Sequence, residues 1–203
     1  FKKEVSLDTS SKKFNFTLLD DFINQNIFRI EKKLNEFIKS IFLIIDHNDI
    51  FSVNLSVKNK IKDVPLNTGL INNLLVEAKS CCKETLEKAN IMHMKIDQFY
   101  IDNDIYKTLP DNIRCENLSI DLSFICIPDD ILQNLEKIFK KYQISVSKTF
   151  SFRYLNNFMN IKSNELSQVS KKILDGFNEN EVLLINKRSR NVSFFEKFFN
   201  FFN

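Results

Sequence analysis

Glycine is almost missing from this sequence: Gly69 and Gly176 are the only two in 203 residues, beside three prolines and no tryptophan. A phosphate-cradling loop needs several glycines, because its backbone N–H groups must close around the anion without Cβ atoms in the way. Such a nucleotide site is therefore excluded, and no cofactor is expected. An excess of one charge is lacking as well. Lys and Arg number 29 against 26 Asp and Glu, a net charge of +3. A dedicated nucleic-acid binder carries a basic stripe, so nucleic acid is not an expected partner. Cysteine is sparse: Cys81, Cys82, Cys115 and Cys126 contain no C-x-x-C pair. Adjacent Cys81 and Cys82 point in different directions on a helix or a strand. Reduced thiols in a cytosolic compartment are expected, not a zinc site or a disulfide framework. No secretory signal stands out, and no apolar run is long enough to span a bilayer. The first residue is Phe rather than Met, which leaves open further chain before it.

What is present is an ordinary globular balance, 43% hydrophobic and 27% charged, enough to bury a sizeable core. Phe, Ile, Asn and Lys are abundant, as an AT-rich genome would impose, so a single Phe or Asn carries little weight. Residues 17–40 read as a helix. Thr17-x-x-Asp20 resembles a capping box, and Leu19, Phe22, Ile23, Ile30, Leu34, Phe37 and Ile38 recur at helical spacing as a buried stripe. The run IFLII (41–45) suits a strand buried on both faces. Phe51, Val53, Leu55 and Val57 alternate with polar residues, the mark of a half-buried strand. A second helix is expected over 68–89. Two strands follow, one with Met92, Met94 and Ile96 facing inward and one with Leu118, Ile120, Leu122 and Phe124 inward. Pro128, Asp129 and Asp130 open a third helix, since Pro suits a helix entrance and acids complement its positive end. A strand over 144–152 comes next. A short helix over 165–175 then ends at Gly176, and a polar linker holds one short strand, EVLLIN. The order of elements gives a mixed α/β (α+β) fold class.

Candidate catalytic groups are few. His47 lies in the polar turn DHND, and His93 falls on the polar side of its strand, so both read as solvated. DHND could hold a metal, but such turns are usually solvent-exposed. Asp129 and Asp130 are explained by helix capping. A Cys82/His93 nucleophile pair lacks a third orienting group. Catalysis is not expected.

The end of the chain is different. Phe194, Phe195, Phe198, Phe199, Phe201 and Phe202 crowd together, and at about 100° per residue they fill an arc of about 160°. Ser193, Glu196, Lys197, Asn200 and Asn203 fall on the other side. A strand would scatter the phenylalanines over both faces. Lys187, Arg188, Arg190 and Lys197 lie beside the apolar face, suited to anionic lipid headgroups. A helix here is about 16 Å long, too short to span a bilayer. The favoured reading is an interfacial membrane helix. The alternatives are a helix docked on its own domain or in a partner's groove.

The stretch from the first helix to Phe152 resembles FtsA, the bacterial actin-like protein that links the cell-division ring to the membrane. IEKKLNEFIKSIFLIID (30–46) is similar to that family's helix leading into a strand of V-x-V-x-I type. IMHMKIDQFYID (91–102) is similar to its H-x-I-P-x-x-F-x-x-D strand, and LSIDLSFICIPDDILQNLEKIFKKYQISV (118–146) to its strand–helix–strand. These segments belong to the subdomain inserted into subdomain 1A, called 1C or the SHS2 domain. The family also ends in a linker and a short amphipathic membrane-targeting helix, which 187–203 resembles. The family's two phosphate loops are not present here, and neither is the second actin-like half, which in that family binds FtsZ. The resemblance thus implies a partial 1A-like region at 1–66, an SHS2/1C-like region at 67–152, a helix and linker at 153–190, and a membrane-targeting helix at 191–203. It implies a non-catalytic, non-ATPase adaptor on the cytoplasmic face of the bacterial membrane, at the division site. The implied partners are anionic lipids, cell-division proteins and a second copy of the chain, with FtsZ a doubtful one. Two other readings stay open. One is a relative of PilM, the actin-like protein of pilus machines, and the other is a soluble SHS2-like ligand-binding or enzymatic domain.

Overall fold

A computed structural model describes residues 14–110, 113–159 and 166–182. Among these, five helices and two sheets give the mixed α/β class that the pattern predicts. The smaller sheet is a parallel pair, β1 (Ser40–Ile45) and β6 (Ser145–Ser151), running from Ser40 opposite Ser145 to Ile45 opposite Ser151 with one register shift between Ile41 and Phe42. Side chains alternate across such a pair. Ile41, Leu43 and Ile45 face α1 (Phe16–Leu34) and α3 (Asp129–Lys141), packing with Ile23, Ile131, Leu135, Ile138 and Phe139. Ile44 and Phe150 face the other way. Leu155 of α4 (Phe152–Met159) and Val169 and Ile173 of α5 (Leu166–Leu174) cover them.

Several expectations change here. Helix α1 is not capped by a box at Thr17. Asn15 is its N-cap, its Oδ1 accepting from the Leu18 N–H at 3.0 Å. The helix stops at Leu34 because Asn35 takes the left-handed conformation, φ 56°, which Asn tolerates better than most side chains. Phe37 therefore leaves the expected buried stripe and is 81% exposed, and Leu34, the last residue of the helix, is 54% exposed. IFLII is not buried on both faces either. Phe42 is 56% exposed, since a two-stranded sheet offers too little surface to cover it. Phe152 begins a helix rather than ending a strand.

The larger sheet is antiparallel, in the order β2 (Phe51–Pro65), β5 (Arg114–Pro128), β3 (Ala89–Ile101), β4 (Asp104–Tyr106), with β7 (Glu181–Val182) beside β3. Helix α2 (Thr68–Thr85) covers one face and ends four residues earlier than its pattern suggests. Its Ile71, Leu74, Leu75, Ala78 and Cys82 pack on Val57 of β2, on Met94 and Ile96 of β3, and on Leu118, Ile120, Leu122, Phe124 and Cys126 of β5. Burial of a large aliphatic or aromatic side chain contributes about 1.5–3 kcal/mol, so this is the main core. The opposite face is polar over most of its extent. Asp121 accepts from the Ser56 hydroxyl at 2.5 Å and from the Gln98 amide at 3.1 Å, and Lys95 pairs with Asp97 at 2.6 Å.

Strand β3 carries two bulges, between Ile91 and His93 and between Ile96 and Gln98. A bulge adds one unpaired residue and reverses which face the following side chains take. The second bulge explains why Met94 and Ile96 sit at even positions while Phe99 and Ile101, in the same core, sit at odd ones. The first sets Met92 aside from Met94, into the group formed by Ile45, Ile127, Ile131 and Leu135.

Candidate functional site

The residues expected to bind membrane, Phe194, Phe195, Phe198, Phe199, Phe201, Phe202, Lys187, Arg188, Arg190 and Lys197, all lie outside the described residues. Of the short strand EVLLIN, Glu181 and Val182 are described, and they pair with Lys95 and Met94 of β3. Gly176 follows α5 with φ 76°, the left-handed C′ role expected of it.

His47 does lie in a polar turn, half-buried, its ring 4.9 Å from that of Phe14 and its Nδ1 accepting from the Asp49 N–H at 3.2 Å. No cluster of metal-ligating side chains occurs among the described residues. Asp129 and Asp130 occupy the first turn of α3, but neither caps it, because the N-cap is Pro128 without a side-chain bond. Asp129 accepts from the Asn90 amide at 2.5 Å instead and ties the helix entrance to β3. Cys82 does not meet His93. It faces the α2 core, where its thiol bonds Cys126, and burial raises the Cys126 pKa to about 12 and shifts Cys82 upward too. Both are inert thiols at neutral pH.

His93 overturns its expectation most clearly. It is 1% exposed. Alternation placed it correctly on the face away from α2, but that face is covered at this end. Phe150, Tyr154 and the α4–α5 pair lie over His93 and its cross-strand neighbour Ile125. The imidazole sits 4.1 Å, centroid to centroid, from the Tyr154 ring. Its Nε2 accepts from the Ser151 backbone N–H at 3.0 Å. Nδ1 must then carry the proton, which it donates to Glu181 Oε1 at 2.8 Å. Glu181 is 2% exposed, and its Oε2 accepts from the Tyr154 hydroxyl at 2.7 Å. That hydroxyl in turn accepts from the Asn178 amide at 2.9 Å.

The electrostatics follow from burial. Desolvation holds His93 below its ordinary pKa, against the opposing pull of Glu181. Burial pushes the Tyr154 phenol upward, and the nearby Glu181 carboxylate adds to the shift. Lys148 of β6 is shifted down by burial, with Glu181 raising it and Lys79 lowering it. Both imidazole nitrogens, both Glu181 oxygens and the Tyr154 hydroxyl are engaged within the protein. Among the described residues no nucleophile stands at hydrogen-bond distance from the imidazole, its Ser151 partner being a backbone N–H. The cluster joins β3, β6, α4 and β7.

Large apolar side chains are exposed at the end of α1 and the start of β1: Phe28 at 72%, with Leu34, Phe37 and Phe42. Single exposed apolar residues are normal, and these do not share one face: Phe28 and Leu34 lie on α1, whereas Phe42 lies beside Phe150 on the face of β1 away from it. Comparison with protein-family models and with curated proteins gives no match.

Proposed function

We propose that this chain is a membrane-tethered, non-catalytic adaptor of the bacterial cell-division machinery, resembling FtsA. A C-terminal amphipathic helix over 191–203 holds it to anionic lipid at the cytoplasmic face. Its SHS2-like unit, 67–152, makes contacts with division proteins. The observation that carries the reading is the complete separation of Phe194, Phe195, Phe198, Phe199, Phe201 and Phe202 from Glu196, Lys197 and Asn200 on a helical projection. Two features support it. Strands β2, β3 and β5 with helix α2 lie in the chain between β1 and β6, which pair in parallel, an inserted layout that starts at Phe51 rather than at 67 and leaves α3 and β6 outside it. The polar cluster around His93 is buried, and its bonds tie β7 to β3, β6 and α4, a fixed support for the end of the chain.

A fluorescent fusion of the full chain, expressed in a dividing bacterium, tests this. The expected result is a membrane signal at midcell, lost when residues 187–203 are removed. Diffuse signal from both forms rejects the tether, and a polar signal at pilus sites favours a PilM-like role.

A further inference from the structure

We propose that His93, Glu181 and Tyr154 form a proton-operated clasp that holds the 166–182 segment against the sheets near neutral pH and releases it on acidification. The inference stands on geometry and is independent of the membrane tether.

Three kinds of contact hold the segment. Val169 and Ile173 of α5 pack on Phe150 and Leu155. The short strand β7 adds its ladder to β3, extended by the Ile96 N–H donating to the Asn180 carbonyl at 2.7 Å. The third is the buried polar cluster, in which Glu181 is the segment's own contribution and joins His93 on β3 to Tyr154 on α4. Breaking that cluster exposes one edge of an assembly that few residues hold, the kind of unit that opens without global unfolding.

The proton enters at Nε2. In the closed state this atom accepts the Ser151 N–H. Protonation places a second donor there, so two N–H groups face each other, the bond to Ser151 is lost, and the imidazolium carries a full charge in a buried site. Each described element packed near the ring contributes to the balance. Glu181 of β7 favours the imidazolium, and Lys148 of β6 disfavours it. Lys79 of α2 acts on Lys148, and Tyr154 of α4 offers a neutral hydroxyl that already donates to Glu181. Burial outweighs the pull of Glu181 and keeps His93 below its ordinary value of 6.5. The open form therefore binds the proton more readily than the closed form. Closure is complete above pH 6.5, weakens as pH falls below it, and levels off once the closed form also takes the proton.

Amide hydrogen exchange on the full chain between pH 5 and 8, corrected for intrinsic rates, tests the clasp. Protection across 166–182 is expected to fall by up to about tenfold per pH unit below 6.5, while α2 and β5 keep theirs. His93→Gln retains an acceptor and a donor but cannot titrate, so its profile is expected to be flat. A flat profile in the unmodified chain, or the same fall in His93→Gln, overturns the proposal. If His93→Gln does not fold, NMR titration of the native chain decides. With two histidines in the sequence, the His93 ring signal can be told from that of His47. Its midpoint is expected to coincide with segment opening, and a midpoint separated from opening refutes the clasp.

Discussion

At the scale of the residue, Tyr154 and His93 show how position outweighs type. A tyrosine hydroxyl in a buried site needs partners, and those of Tyr154 include Glu181 and Asn178. Tyr154→Phe leaves a carboxylate oxygen and an amide N–H short of one bond each without changing the ring. Stability is expected to fall by about 1–3 kcal/mol, read as a lower midpoint in urea with an unchanged slope. No loss of stability would mean that solvent reaches the cluster. His93 was readable as facing away from α2, because Met92, Met94 and Ile96 alternate around it. Its burial was not readable. The residues that cover it, Phe150, Tyr154 and Glu181, come 57 to 88 positions later in the chain, and a period of two says nothing about what lies over a face.

At the scale of the element, the local chemistry of the helix ends decides the boundaries. Asn67 caps α2, its Oδ1 accepting from the Leu70 N–H at 2.9 Å. Asn67→Ala is expected to cost about 1 kcal/mol, visible in thermal unfolding, whereas Asn67→Asp keeps the acceptor and most of the stability. Equal loss in both variants would contradict the capping role. Strand β5 was legible almost throughout, since Leu118, Ile120, Leu122 and Phe124 keep one phase and all are fully buried. Strand β3 was legible in part. Its two bulges shift the phase, and a bulge has no sequence mark beyond that shift. The stripe on α1 was over-read because Asn35 looks like any other Asn until its backbone turns left-handed. Phe37 then leaves the helix and becomes exposed.

At the scale of the whole molecule, the chain carries a parallel pair, an antiparallel unit with one helix layer, and a phenylalanine-rich segment whose side chains separate cleanly on a helical projection. The polar clasp fixes Val182 beside β3, and residues 183–190 span at most about 29 Å when extended. A tether at 191–203 would therefore keep the larger sheet close to the bilayer. A fully buried Phe contributes about 1.5–3 kcal/mol, but interfacial burial is partial and ordering a helix opposes it, so a single proposed tether would be weak and the proposed self-association would strengthen it through avidity. The most direct measurement is co-sedimentation of the full chain with anionic liposomes, alongside Phe198→Asp combined with Phe199→Asp. The unmodified chain is expected to sediment with the vesicles, more weakly at high salt, and the double variant to stay in the supernatant while its circular dichroism is unchanged. Equal sedimentation of both forms would contradict the tether.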